Sequence, residues 1–216
     1  MSHRIIETEK DLRAGTRALT AMCEHMARAH EIAGEPPLRR RVGGFEGLAR
    51  AIVGQQLSVA SANAIWSRLE QLVVPFDAAA FASKRDDQLR AAGLSGGKVR
   101  TLRGIADAIA AKDLELDDLC NAPDETIHDR LTALKGIGPW TADIYVMFCL
   151  GRADAWAPGD LALQYAVADL MALEARPDLS EMAEIAERWR PWRAVAARML
   201  WAYYRERKNA ASGAPV

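Results

Sequence analysis

A chain of 216 residues, half of it hydrophobic and 6% aromatic, can bury a sizeable core and suits one compact domain or two closely packed lobes. No apolar run in it approaches the roughly 20 residues that a bilayer-crossing helix needs, so a soluble globular protein is expected. A formal net charge of −1 argues against a protein whose whole surface clings to nucleic acid.

Apolar residues recur three and four apart almost throughout, and no segment alternates over strand length, so the expected fold class is all-α. The first residues have no signal-peptide core, which points to a cytoplasmic address. A first helix is expected from about Glu9 to His30, ending at the breaker Gly34-Glu35-Pro36-Pro37. A second runs from Phe45 to Val53 and is interrupted at Gly54-Gln55-Gln56. Ser58 then caps a third that reaches about Leu72. Shorter helices are expected near Phe76, Asp86, Lys98 to Lys112 and Leu114, and Asp124 is placed as the cap of the next. Pro139 opens a helix to Leu150, Asp160 another to about Leu173, and the last two begin at Ser180 and Pro191, with fraying expected from Asn209 to Val216.

Cys23, Cys120 and Cys149 are too far apart for a Cys-x-x-Cys metal site and are expected to be reduced, buried thiols. His3, His25, His30 and His128 lack ligand spacing and are read as solvated surface residues. The charge is uneven. From Ile185 to Lys208, seven basic residues face two glutamates, leaving +5, whereas from Asp154 to Glu184 seven carboxylates face one arginine, leaving −6. A second basic knot is Arg39-Arg40-Arg41. Such patches can hold a phosphate backbone, and they are equally what solvated helix faces look like.

The most informative run is Leu134-Lys135-Gly136-Ile137-Gly138-Pro139-Trp140-Thr141-Ala142. Two glycines flanking an isoleucine permit a hairpin whose backbone can approach a surface closely. Proline suits the first helical position, so the free N–H groups of the following turn, at the positive end of the helix dipole, are available to a phosphate. On its own the run also fits an ordinary helix-turn-helix corner. Lys98, after Gly93-Leu94-Ser95-Gly96-Gly97, could add a phosphate contact or simply end a flexible turn.

Together with Pro158-Gly159-Asp160-Leu161-Ala162-Leu163, Phe45 to Ser58, Gly93 to Leu102 and Trp189 to Trp201, the hairpin run resembles the helix-hairpin-helix DNA glycosylases, in the DNA-3-methyladenine glycosylase II branch. The likeness covers about residues 40–205. It implies an all-α, two-lobed fold, with residues 44–154 forming the lobe that carries the hairpin, 1–43 plus 155–216 forming the other, and the active cleft between the lobes. It implies duplex DNA containing alkylated bases as the partner of a monomer. It also places Asp160 as the catalytic carboxylate and Trp140 and Trp201 in the base pocket, with Tyr145 and Trp192 as further candidates for its walls. Gln56 aligns with the residue that wedges into the base stack in relatives, although a solvated loop glutamine explains it equally well. Gly136, Gly138 and Lys135 would contact DNA. The backbone carbonyls of Thr132, Leu134 and Ile137 would hold a monovalent cation, Na+ or K+, bridging to a phosphate. No cysteine follows Cys149, so the iron–sulfur cluster of some relatives is not expected. Bifunctional relatives carry a lysine where this chain has Trp140, so water is the expected nucleophile and no lyase step follows.

The chemistry suits these residue types. Breaking an N-glycosidic bond passes through positive charge on the deoxyribose, which a fixed carboxylate stabilises. An alkylated purine already carries positive charge and leaves without a general acid, so one carboxylate is enough. Electron-rich rings then select a cationic base. Taken alone, however, Asp160 reads as a helix N-cap and each tryptophan as core. Two rivals remain on the residues: a non-enzymatic hairpin DNA-binding protein, which needs no carboxylate near phosphates, and a helical scaffold for another protein, which salt-sensitive duplex binding would exclude. Ile144 and Leu161 occupy positions where better-known relatives differ, and a narrower lesion range is the expectation.

Overall fold

Twelve α-helices and one short 3₁₀ turn follow one another in the computed structural model, which describes residues 4–212; His3 and residues 213–216, for which exposure and fraying were expected, lie outside the described residues. In order they are α1 (Glu9–Met22), α2 (Glu24–Ala33), α3 (Gly44–Gly54), α4 (Val59–Leu72), α5 (Ala78–Ala82), α6 (Asp86–Ala91), α7 (Gly96–Ala110), α8 (Asp124–Thr132), α9 (Pro139–Phe148), α10 (Leu161–Leu170), α11 (Leu179–Glu187) and α12 (Arg193–Ser212). Extended pairing among the described residues is limited to one isolated bridge between Ile5 and Arg152. The all-α expectation holds. No helix among the described residues is long and apolar enough to cross a membrane.

The chain divides into two compact units, residues 1–40 with 151–216, and residues 41–150. In the first, α12 packs against α1, α2 and α10. Its core includes Leu12, Leu19, Met26, Trp189, Val195 and Leu200, all fully buried. Trp156 meets Trp189 edge-on, with ring centroids 5.4 Å apart, and donates from Nε1 to the Met182 carbonyl. An aromatic pair of that geometry adds roughly 0.5–1.5 kcal/mol to the burial of its area. In the second unit, α3 packs on α4, α7 and α9, and α8 packs on α9. Phe45, Trp66, Phe76 and Phe81 form its aromatic cluster, with Trp66 and Phe76 centroids 4.6 Å apart.

Several expected elements differ in detail. The single helix expected from Glu9 to His30 is two, broken at Cys23, whose backbone is extended (φ −144°, ψ 114°). No Gly or Pro marks that break; the two halves pack against each other and both against α12, a tertiary demand that local pattern does not carry. Asp124 is the first residue of α8 rather than its cap, a position that Pro123 takes. The segment at Leu114 is not helical, and the 3₁₀ turn comes later, at Asp118–Asn121. Residues 209–212 continue α12 instead of fraying. Of the three free thiols only Cys149 is buried; Cys120 is exposed and Cys23 is half-buried. His25, His30 and His128 are half-buried rather than fully solvated.

Candidate functional site

The hairpin joins α8 to α9 and belongs to the second unit. Ile137 anchors it: its side chain is buried and its N–H donates to the Leu134 carbonyl at 3.0 Å. Gly136 has φ +91°, and a Cβ there would lie 2.0 Å from Thr101 Oγ1, so both backbone conformation and packing require glycine. Gly138 differs. Its backbone is extended (φ −95°, ψ 173°) and a Cβ would meet nothing within 4 Å, so the space in front of it is open to a ligand. Neither the Gly136 nor the Gly138 amide donates to another protein group among the described residues. Pro139 occupies the first turn of α9, as its fixed φ favours, so these amides stand at the positive end of that helix dipole. Lys135 is exposed on the same corner. The geometry is that of an anion cradle.

Three residues that the sequence reading did not assign to the hairpin hold it. Gln55, at the end of α3, donates from Nε2 to the Gly136 carbonyl at 3.2 Å and to Thr141 Oγ1 at 2.8 Å. Lys98 Nζ donates to the carbonyls of Val53 and Gln55, both at 2.9 Å, satisfying the C-terminal end of α3. Lys98 thus braces the end of α3 rather than ending a flexible turn, and burial lowers its pKa. Thr101 lies three residues further along α7, on the same face, against Gly136. The FEGLARAIVGQQLS and GLSGGKVRTL stretches therefore converge on the hairpin. Beyond the clamped Gln55, Gln56 is exposed and left-handed, with φ +56°.

For a hairpin cation, the carbonyl set offers hard oxygen donors. Leu134 O accepts one hydrogen bond, from Ile137 N, and no backbone N–H among the described residues donates to Thr132 O or Ile137 O. The donor set fits a monovalent ion at the carbonyl end of α8.

Asp160 is the N-cap of α10 in the first unit. Its Oδ1 accepts from Leu163 N and from Trp201 Nε1, each at 3.0 Å. The Gln164 side chain donates to the Pro158 carbonyl at 2.9 Å and stiffens the turn that presents the carboxylate. Capping does not preclude a chemical role: one oxygen is oriented by a backbone amide and an indole while the residue stays half-exposed.

The remaining expected pocket residues separate. Trp140 is half-buried in the first turn of α9. Tyr145 is fully buried, with Gly44 N donating to its hydroxyl at 3.0 Å, and burial raises its pKa; it fastens α9 to the start of α3 and does not line an accessible surface. Trp192, just before α12, packs where a Cβ on Gly15 would sit 2.7 Å away, and the Arg4 guanidinium covers its ring at 4.4 Å, which makes it a packing residue against α1. Ile144 is core, 6% exposed, so it does not shape a pocket wall, whereas Leu161 is exposed.

The charged runs largely answer each other. Asp154 accepts from Arg190 and from Arg193, the latter at 2.9 Å through Nε and 3.0 Å through Nη2. Arg207 pairs with Asp169 at 2.8 Å, and Asp169 also accepts from Tyr203 Oη at 2.5 Å. Arg198 is buried, spans from the Ala194 carbonyl to the Leu38 carbonyl, and is pushed down to about 9, first by burial and then by the nearby Arg40 and Arg39 charges. Much of the basic C-terminal run is thus internal wiring.

An all-α chain with a glycine hairpin opening a helix and a capped aspartate hydrogen-bonded to an indole has the parts of a DNA base-excision protein, and comparison with known families agrees. Residues 49–191 match the family model described as HhH-GPD superfamily base excision DNA repair protein, and the chain belongs to that superfamily. It is 33% identical over 165 residues to DNA-3-methyladenine glycosylase 1 of Schizosaccharomyces pombe, covering 73% of this chain and 71% of that protein. Its structure superposes on the S. pombe 3-methyladenine DNA glycosylase in complex with abasic DNA with a TM-score of 0.81 at 27% identity, covering 87% of this chain and 95% of the other. A DNA-3-methyladenine glycosidase from Bacillus halodurans superposes at 0.73 with 31% identity, over 94% and 93% of the two chains. The fold is that of the helix-hairpin-helix glycosylases.

Proposed function

We propose that this chain removes alkylated purines of the 3-methyladenine kind from duplex DNA by hydrolysis of the N-glycosidic bond, without strand cleavage. Membership of the base-excision superfamily and the named 3-methyladenine glycosylases at 26–33% identity over most of the chain support glycosylase activity over a non-enzymatic hairpin binder. The observation that carries the mechanism is Asp160 held by Leu163 N and Trp201 Nε1 at the start of α10. The backbone amide and the indole orient the carboxylate, and a carboxylate so held would stabilise the developing oxocarbenium ion and orient the attacking water. Trp201 doubles as a positioning residue, since its indole must keep its plane to donate to Asp160. Trp140 supplies the stacking face for the extruded cationic base.

The Gly136 and Gly138 amides and Lys135 hold the phosphate backbone, and Gln56 fills the gap left by the flipped nucleotide. The carbonyls of Thr132, Leu134 and Ile137 would hold a Na+ or K+ ion, which supplies positive charge to a phosphate at the hairpin. With tryptophan at position 140, water is the nucleophile and the product is an abasic site. Release of free base from methylated duplex DNA, read by chromatography, tests the activity. Absence of release would refute it, and borohydride trapping of a covalent protein–DNA adduct would refute the monofunctional mechanism.

A further inference from the structure

In the first unit, a surface hollow lies directly beside Trp201, lined by Pro37, Arg39, Arg198, Trp201 and Ala202. Two of its five lining residues are arginines and none is acidic. Around it the other guanidinium groups have carboxylates of their own: Arg40 pairs with Glu7 at 2.8 Å, and Arg205 with Glu206 at 3.1 Å. Arg39 has none among the described residues, although it stands close enough to Arg205 for that charge, after burial of its head group, to lower its pKa. Arg39 therefore stands beside a second guanidinium while having no carboxylate of its own among the described residues.

The arrangement is also built. Arg198, 2% exposed, forms the floor, and its Nε donates to the Leu38 carbonyl at 3.1 Å. That bond fixes the peptide leading into Arg39, a non-glycine residue held left-handed at φ +51°. Such a conformation is unfavourable for a residue with a side chain and persists only where its surroundings impose it. The imposed backbone and the exposed Arg39, set over a buried arginine, favour an anion at the rim of this shallow hollow rather than within it. Trp201, which lines the hollow, also donates from Nε1 to Asp160 at 3.0 Å, so an anion there would share an indole with the carboxylate proposed to react.

We propose that Arg39, with Arg205 beside it and Arg198 beneath, is a phosphate subsite that takes a backbone phosphodiester of the strand carrying the extruded nucleotide. The subsite rests on the glycosylase reading for its ligand. It would draw the sugar toward Asp160 independently of the hairpin cradle, and Trp201 would couple the two, because the same indole borders the phosphate and orients the carboxylate.

The test is binding of a duplex containing a tetrahydrofuran abasic analogue, which cannot be turned over, followed by fluorescence anisotropy across a chloride series. Arg39→Gln is expected to weaken binding roughly 3- to 10-fold and to reduce the slope of log K against log salt by about 0.9, the loss of one phosphate contact. Arg39→Lys should keep the slope, and Arg13→Gln on exposed α1 should keep both slope and affinity. Parent-like affinity and slope in Arg39→Gln would overturn the proposal. So would calorimetric binding of inorganic phosphate that depends on Arg39 while the DNA slope is unchanged, since the ligand would then be a free anion. Circular dichroism melts monitor folding; should Arg39→Gln be unfolded, a parent-like slope in Arg205→Gln overturns the subsite and a reduced one supports it. Base release by the parent is scored separately, so a slope change without excision would sink the glycosylase reading and leave the subsite standing.

Discussion

Replacing Asp160 by asparagine separates the capping that the structure shows from the catalytic role proposed for this residue. Its Oδ1 accepts from Leu163 N and Trp201 Nε1, and an asparagine carbonyl oxygen can accept both. Asparagine and aspartate rank about equally as N-caps, so stability should change by less than about 0.5 kcal/mol. The charge is lost outright. A carboxylate about 4 Å from a developing positive charge, at an effective dielectric near 20 for a half-exposed group, is worth about 4 kcal/mol, which is about a thousandfold in rate. Asp160→Ala should match that loss of rate and in addition leave two donors unpaired, at about 1–3 kcal/mol each where they are shielded from water, with a lowered melting temperature. Single-turnover release of base from methylated duplex DNA, alongside thermal melts and binding of an abasic-analogue duplex, reads the three quantities apart. An asparagine variant within about threefold of the parent rate would refute the electrostatic role, and an alanine variant as stable as the asparagine one would refute the capping geometry.

Gly136→Ala should destabilise the protein by more than about 2 kcal/mol in denaturant titrations, because φ +91° and a Cβ placed 2.0 Å from Thr101 Oγ1 are both penalised. Adding Thr101→Ala should recover only part of that, since the backbone strain remains. Gln55→Ala should leave the fold intact but weaken duplex binding in anisotropy titrations by several-fold, because the bonds to Gly136 O and Thr141 Oγ1 that hold the cradle are removed. Asp143, which lies 3.7 Å from His128 Nε2, is raised to about 7 by burial. Between the unfolded value near 4 and the folded one the unfolded chain binds fewer protons, so this residue makes stability fall as pH rises through that window, at up to about 1.4 kcal/mol per pH unit. Asp143→Asn should flatten the profile from about pH 4 to 7 and melt higher than the parent at pH 8; a variant melting lower there would contradict this.

Helix content, most boundaries and the hairpin were legible in the sequence because they rest on local rules. Ser58, Pro139 and Asp160 act at helix starts within a turn of their own position, and the amphipathic repeats mark which segments are helical. Family resemblance added the role proposed for Asp160, which N-cap chemistry alone cannot distinguish from plain structure. The break at Cys23 was invisible because its cause is the joint packing of α1 and α2 on α12. Tyr145 and Trp192 read as pocket aromatics because a helical period does not say which partner a ring meets. Only the fold shows Gly44 N on one and Arg4 with Gly15 on the other.

Charge followed the same division. The sequence by itself determined that acidic and basic runs lie on successive C-terminal segments, and that a glycine corner precedes a helix opened by proline. Tertiary structure alone decided that Asp154 and Asp169 consume Arg190, Arg193 and Arg207, that Arg198 is buried, and that Arg39 is left with no carboxylate among the described residues. Hydrogen-bond geometry within one turn is written into neighbouring residues, whereas the pairing of side chains 38 or 39 positions apart depends on how whole helices are brought together.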